Sequence, residues 1–538
     1  MKSSNQKFAI LFIILFSYSC AQVVAPSGGE KDITPPTIMD AQPPIGQLNF
    51  NEHSFTLEFD EFIKLKSLNK QLLISPPLKY DLDARVKGKS LKAEFDDTLK
   101  ENTTYVINFG SAIVDITEQN PLVDFKYVFS TGKTIDSLSL SGHVMDAFEL
   151  KRQEEFNVQL YRNSTFDSLP MNSLPDYVAK TDKEGNFSIT NIRPGNYVLF
   201  ALKDGNSNYL FDRPDEEIAF VSNALQLDSS TSEIKLYSFA EDNQNQFVEK
   251  VTVSGPLVTI KLKKAWETSI EYAIVEKENQ PELIHSKMNV RSDSLLFWWT
   301  QSIDQEYNLE LNIDGEIKDT VSFKLDSITA KRKLKLAKKI KERYAYYQPL
   351  RFEFERPLSS ISQDLIELKR LDGKVISFEA SIDSINAQRM ILTFKQKEDS
   401  TYRVNLLPGA INDIYGRSND TINNDFTFDN AEDYGTLIVN IDPSVEGHRI
   451  LQLTNANGKV LRNNYEETNT TSFRNLKAGQ YGLKIIFDKN QNKKWDTGKF
   501  ADQLQAESCI ILEEKIDIRA NWDKEIDWVI TQDKTNEQ

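Results

Sequence analysis

The chain is poor in the residues that build most chemical sites. It holds two cysteines and four histidines in 538 residues, so no disulfide framework, Cys-based zinc finger or iron–sulfur site can be assembled from it alone. The histidines, His53, His143, His285 and His448, are scattered, and none stands in an H-E-x-x-H pattern or at a spacing that sets two ligands on one face. There is no G-x-S-x-G elbow, no phosphate-cradling glycine loop and no Cys/His nucleophile pair. Cys509 leads into the apolar run Ile510-Ile511-Leu512, where a buried, inert thiol is expected. Basic charge is short as well. The balance 64 − 80 leaves −16, the wrong sign for a surface built to hold phosphate backbones, and no nucleic acid is expected as a partner. With 80 acidic residues chance carboxylate pairs are inevitable, so glycosidic chemistry has no residues to point to. The expectation is a protein that is not an enzyme.

What is present is architecture. An apolar share of 39 % with 10 % aromatic residues is too high for a disordered chain, and the length allows roughly three to five domains. At the start, Lys2 and Lys7 precede nine apolar residues, Phe8 to Phe16, and then Ser17-Tyr18-Ser19-Cys20-Ala21. Nine is far below the roughly 20 residues of a membrane-spanning helix, so this reads as an export signal with a cysteine at its cleavage point. The segment resembles the lipobox of bacterial lipoproteins, with Ser17 where leucine is usual. The resemblance implies acylation of Cys20 and a mature chain of 538 − 19 = 519 residues. Several acyl chains, at about 0.8 kcal/mol per buried methylene, make such anchoring permanent in effect. A plain soluble export signal is the other reading. Ala21 to Pro36, with Pro26, Gly28, Gly29, Pro35 and Pro36, is a tether. The string Pro26-Ser27-Gly28-Gly29-Glu30-Lys31-Asp32 after Cys20-Ala21 resembles the start of Ig-like-domain lipoproteins of Bacteroidota, in which acidic residues after the cysteine favour surface display.

Two modules each occur twice. Thr104-Tyr105-Val106-Ile107-Asn108-Phe109-Gly110, leading to Asp115-Ile116, returns as Thr401-Tyr402-Arg403-Val404-Asn405-Leu406-Leu407, leading to Asp413-Ile414, at offsets of 297 to 298. Upstream, Phe55-Thr56-Leu57-Glu58-Phe59-Asp60-Glu61 matches Leu350-Arg351-Phe352-Glu353-Phe354-Glu355, and both alternate as half-buried strands do. Downstream, Phe129-Ser130-Thr131 meets Phe426-Thr427-Phe428. Short alternating runs between turn signals predict β-sandwiches, and these resemble the bacterial Ig-like domains of surface-layer proteins. The second module runs from Asn191-Ile192-Arg193-Pro194-Gly195-Asn196-Tyr197 to Asp204-Gly205-Asn206-Ser207-Asn208 and Asp212. It returns without a gap, 284 residues on, from Asn475 to Asp496. Turn, strand and polar loop make hairpin grammar, and the module resembles prealbumin-like or carboxypeptidase-regulatory-like sandwiches. The expected organisation is all-β, with tandem β-sandwich domains after a lipoprotein signal peptide. Its parts are a signal peptide, 1–19; a lipidated tether, 20–36; an Ig-like domain, 37–133; a prealbumin-like sandwich, 134–240; an unassigned β-domain with a basic linker, 245–345; a second Ig-like domain, 346–432; and a second prealbumin-like sandwich, 433–532.

The best chemical candidate is the repeated loop D-x-N-x-N-x3-D. Asp204, Asn206, Asn208 and Asp212, and again Asp488, Asn490, Asn492 and Asp496, supply oxygens at positions 1, 3, 5 and 9, as calcium prefers. Against this, the sixth position, glycine in an EF-hand, holds Tyr209 or Lys493, and the twelfth holds Asp215 or Lys499. The alternative is that these side chains cap their own turns. A basic run, Lys331 to Arg343, reads as a solvated edge and linker, or as a contact for lipopolysaccharide phosphates or an acidic protein. Phe297-Trp298-Trp299 offers a sugar-stacking platform, although adjacent strand residues point to opposite faces and at least one belongs to a core.

What the resemblances imply is a Bacteroidota outer-membrane lipoprotein, held in lipid by the acyl chains of Cys20 and displayed at the cell surface, with the periplasmic face as alternative. Its expected partners are an outer-membrane barrel protein or other lipoproteins, and its expected role is scaffold or accessory subunit of an outer-membrane complex such as the β-barrel assembly machinery. The alternative is a surface glycan-binding lipoprotein beside a nutrient-uptake barrel. Calcium in the loops is the one cofactor the sequence suggests.

Overall fold

A computed structural model describes residues 31–530 apart from 124, 163–168, 243–244, 267–268, 276–282, 289–292, 300–305, 316, 326–332, 398–399, 444–446 and 466–467. Cys20 and the export segment therefore lie outside the described residues. The fold is all-β, a succession of sandwiches, with a single four-residue α-helix, Leu68–Gln71, among the described residues. None of their helices is long and apolar enough to cross a membrane. The chain divides into two compact units, before and after Ala240, and the described residues gather into five hydrophobic cores.

The first unit opens with an Ig-like domain. Strands Ile38–Gln42, Ser54–Phe59, Ser90–Glu94 and Asp83–Lys87 form one sheet in that order, and Leu73–Ser75, Thr104–Asn108 and Lys126–Ser130 form the other. Setting aside the short ladder of Ile63–Leu65 with Ile113–Asp115, this is the strand order of a constant-type Ig domain. The alternation in Ser54–Phe59 does what period-2 patterning demands. Phe55, Leu57 and Phe59 are buried while Glu58 is exposed, and Phe55 stacks on Tyr127 with centroids 4.0 Å apart. The sandwich that follows starts on Leu138–Asp146, which pairs antiparallel with Asn186–Ile192 and parallel with Thr231–Ala240. That parallel closure needs a bare backbone at Gly142, where an added Cβ would stand 2.0 Å from the Ile234 carbonyl oxygen.

The second unit begins with the region for which the sequence offers no repeat partner. Its strands Val248–Ser254, Leu257–Leu262, Ser294–Trp299 and Leu283–Met288 face Ile270–Ile274, Glu306–Ile313 and Ile317–Lys324. Counted in chain order this is again the constant-type Ig arrangement, so a third Ig-topology domain stands where sequence motifs name none. Next, Leu350–Glu353, Arg389–Phe394 and Phe378–Ile382 face Arg343–Tyr344, Ile422–Phe428, Thr401–Leu406 and Ile366–Arg370. The last sandwich repeats the closure of the first. Tyr434–Ile441 pairs antiparallel with Thr470–Lys477 and parallel with Asp523–Trp528.

Candidate functional site

The two repeated loops keep the 284-residue offset in their backbones. Asn191 and Asn475 sit at φ 60° and 58°, Ser207 and Gln491 at 61° and 64°, Tyr209 and Lys493 at 62° and 65°. The sixth loop position thus takes the left-handed conformation that glycine favours, although a Cβ is present in both copies. What holds it there is the first aspartate. Asp204 Oδ1 accepts the backbone N–H groups of Asn206, Ser207 and Asn208 at 3.1, 2.6 and 3.3 Å, and its Oδ2 accepts that of Tyr209 at 2.7 Å. Asp488 does the same for Asn492 and Lys493 at 3.1 and 2.9 Å. Asn206 and Asn208 turn their amide N–H groups onto Asp212 at 3.2 and 2.7 Å, as Asn490 and Asn492 do onto Asp496 at 2.6 and 2.7 Å. The four candidate ligands of each loop are therefore brought together, and donors from the loop itself occupy their carboxylates. Among the described residues no group of three or more His, Cys, Asp or Glu side chains is arranged to hold a metal ion. These loops are Asx-type turns in the state described.

Sequence reasoning missed one member of each loop. Glu216, 2 % exposed, accepts the N–H groups of Gly205, Asp212 and Arg213 at 3.0, 3.1 and 3.1 Å. Glu507, 6 % exposed, accepts those of Lys489 and Asp496 at 2.7 and 3.1 Å. Each bolts the loop's second residue to its ninth. Their mutual offset is 291 rather than 284, because the second copy inserts the short 3-10 turn Phe500–Asp502 between loop and bolt. Burial pushes the Glu507 carboxyl above the usual range, aided by Asp496 and Asp488 and opposed by its two N–H bonds. The folded state then holds this proton more tightly than the unfolded chain does. The ionised form carries a penalty that is fully present above the folded pKa and is relieved as pH falls through it toward the unfolded value. Acidification through the folded-state pKa is expected to relieve this penalty on the last sandwich, and Glu507→Gln to remove that contribution from a pH series of thermal scans, leaving the opposite one of Asp429.

The aromatic platform is not available. Phe297, Trp298 and Trp299 are all buried, at 0, 1 and 0 % exposure. Phe297 and Trp299 face the core of the third Ig-topology domain, and at the end of their strand Tyr415 of the next domain donates its hydroxyl to the Trp299 carbonyl at 3.0 Å. Burial pushes that phenol's pKa upward. The expectation that at least one ring is core was too weak, since both faces of the strand are covered. In the basic run, Lys331 and Arg332 lie outside the described residues. Leu334 turns inward beside Asn419 and Leu336 bridges Phe354, while Lys333 pairs with Asp420 at 2.9 Å and Lys338 with Glu353 at 2.7 Å. It is an edge segment with its charges in water. Cys509 is buried, its thiol 3.9 Å from the Glu507 carbonyl.

Polar locks join each Ig-like domain to the sandwich after it. In the first pair, Arg193 Nε meets Asp136 Oδ1 at 3.3 Å and its Nη2 donates to the Asn102 carbonyl, while Thr104 Oγ1 donates to Asp136 Oδ2 at 3.0 Å and Asn191 Nδ2 to the Asp136 carbonyl at 2.9 Å. In the second pair the repeat partner of Arg193, Lys477, reaches Asp429 at 3.0 Å, Arg343 meets the same carboxylate, and Tyr434 donates to it at 2.6 Å. Tyr346 adds a hydrogen bond to Asn475 at 2.8 Å. Burial alone would raise the Asp429 pKa, but the bonds from Tyr434, Lys477 and Arg343 outweigh it and hold the carboxyl below its ordinary value.

Residues 32–131 match the bacterial Ig-like domain family. No curated protein matches the chain in sequence. Among solved structures, the S-layer protein rSbsC is 10 % identical, with 90 % of this chain and 67 % of that one covered and a TM-score of 0.15. BcpA, the major pilin subunit of Bacillus cereus, is 11 % identical, with 74 % and 99 % covered and a TM-score of 0.14. SGBP-B of the Bacteroides ovatus mixed-linkage glucan utilization locus, solved with a mixed-linkage heptasaccharide, is 12 % identical, with 71 % and 94 % covered and a TM-score of 0.19. Scores this low carry no argument about function or domain arrangement. What the family match and the strand orders establish together is a bacterial Ig-like domain at the head of an all-β tandem array.

Proposed function

We propose that the protein is a non-enzymatic lipoprotein, anchored in the outer membrane through Cys20 and working at the cell surface as a scaffold or accessory subunit of a complex built on an outer-membrane barrel, such as the β-barrel assembly machinery. The anchor rests on the lipobox-like Ser17-Tyr18-Ser19-Cys20, and the observation that carries the scaffold reading is the pair of domain locks. A chain that only tethered its domains would leave the junctions to solvent, whereas here Asp136 and Asp429, nearly buried, each gather bonds from both of the domains they join. Bonds made from both sides of a junction work against the relative domain motion that is otherwise the default, and favour a steady spacing of the surfaces the two domains present, as a scaffold requires.

The test is a detergent pull-down of the full-length lipoprotein through a C-terminal tag, read by mass spectrometry, beside a Cys20→Ala control that removes the acyl chains. A stoichiometric barrel protein is expected with the wild type and depleted with the control. A clean monomer would end the scaffold reading and leave a stand-alone surface role.

A further inference from the structure

The two ends of the first Ig-like domain differ in what covers them. The lock with the following sandwich engages Asn102 and Thr104 at the start of strand Thr104–Asn108, whereas the chain leaving the far end of that strand leads to Asp115 and Ile116. There Asn120 Nδ2 donates to the carbonyls of Asp32 and Thr34 at 3.1 and 3.2 Å, which pins the chain where it enters the domain. The Asn120 backbone N–H is itself held by Asp115 at 2.6 Å, and Ile116 N donates to the Phe62 carbonyl at 3.1 Å. Three large apolar residues thereby share one end, Ile33, Phe62 and Ile116, and they are 82, 58 and 48 % exposed. Scattered singly such residues need no explanation, but a group of them marks a binding surface.

What surrounds them decides the occupant. Lys89 sets its ammonium 5.8 Å from the centroid of the Phe62 ring and donates to the Asp60 carbonyl at 2.6 Å, and Lys64 donates to the Ile116 carbonyl at 3.3 Å. Aromatic and aliphatic side chains rimmed by lysines suit a membrane interface, where the apolar parts sink below the headgroups and the ammonium groups stay among them. The aspartates of this end are engaged by its own backbone: Asp32, Asp60 and Asp115 accept the N–H groups of Thr34, Thr37 and Glu118 at 2.9, 2.8 and 2.6 Å. Glu61 and Glu118 add negative charge, which favours a neutral over an anionic lipid surface. Reach selects lipid over a protein partner. Ten residues lie between Cys20 and Lys31, a contour of at most about 40 Å, so an acylated Cys20 keeps this end beside the bilayer. Docking is then an intramolecular step, and a patch too small to capture a separate protein suffices.

We propose that this end of the first Ig-like domain rests on the bilayer, with Ile33, Phe62 and Ile116 sunk among neutral headgroups. Such docking rests on the Cys20 anchor proposed above, and the two are read separately. The full-length acylated chain is reconstituted in phosphatidylcholine vesicles with a nitroxide at Thr117→Cys, beside Ile116, or at the reference position Ile385→Cys, 91 % exposed in the second Ig-like domain. Flotation of the vesicles reads the anchor. Collisions of the nitroxide with oxygen, which partitions into lipid, and with an aqueous nickel chelate read the docking. The label beside Ile116 is expected to meet the chelate about threefold less often than the reference label, and oxygen more often. Phe62→Ser/Ile116→Ser, at exposed positions, is expected to abolish that difference while the protein still floats. Floating protein whose two labels are equally wet overturns the docking and leaves the anchor standing, and so does shielding that survives the double variant. Shielding from both reagents overturns it in favour of a protein cover, and protein that does not float overturns anchor and docking together.

Discussion

Replacing Arg356 by alanine is expected to destabilise the second Ig-like domain by about 3–5 kcal/mol, the usual consequence of stranding one member of a buried ion pair. Arg356 Nε stands 2.5 Å from Asp413 Oδ2, with the Asp413 side chain 0 % and the Arg356 side chain 13 % exposed. The other carboxylate oxygen accepts the N–H groups of Tyr415 and Arg417 at 2.9 and 2.8 Å, so without Arg356 the charge keeps those two bonds and no counter-ion. The first Ig-like domain shows a different solution at the same place. Asp115, equally buried, takes three backbone N–H groups, from Glu118, Gln119 and Asn120, at 2.6, 3.1 and 2.6 Å. The position matching Arg356 holds Glu61, whose carboxyl is raised by burial and by its neighbours Asp115 and Asp60. Hydrogen exchange on the full-length chain reads the effect. Protection of Thr401–Leu406 should fall steeply in Arg356→Ala while Thr104–Asn108 is unchanged, and Arg356→Ala/Asp413→Asn should recover part of the loss. A change below about 1 kcal/mol would mean that water screens the pair as it screens surface ion pairs.

Much of this architecture is legible in the sequence because strand periodicity is a local signal. Phe55, Leu57 and Phe59 announce their buried face by spacing alone, and the offset of 284 foretold a backbone that repeats to within a few degrees of φ at Asn191 and Asn475. The third Ig-topology domain was not legible as such, since an Ig topology resides in which strands pair. Leu257–Leu262 beside Ser294–Trp299 is a long-range fact that no motif in either strand encodes. Trp298 misled for a related reason. Period 2 assigns it to the face opposite Phe297 and Trp299, but whether that face meets water depends on what packs against it. The gapless repeat also drew attention to the acids inside its frame and away from Glu216 and Glu507, which close the same loops from outside it.

Those two glutamates give the second large effect. Glu216→Ala is expected to cost the first sandwich about 3 kcal/mol, because three loop N–H groups lose a buried, charged acceptor. For a domain of this size that corresponds to a fall of roughly 12–24 °C in its melting transition, measured by calorimetry on the full-length chain. Glu507→Ala should cost the last sandwich less, since it frees two N–H groups and removes a carboxyl that burial already strains toward its protonated form. That ordering follows from hydrogen-bond inventory and would vanish from metal-free scans if the glutamates served chiefly as cation ligands, because their loss would then matter only with metal present. The same scans decide the point. With Asp204 and Asp488 engaged by the loop's own N–H groups, millimolar calcium should leave both wild-type transitions where they are. A calcium-dependent rise that vanishes in Glu216→Ala would show that a cation can displace those donors, and the loops would have to be redrawn as binding sites.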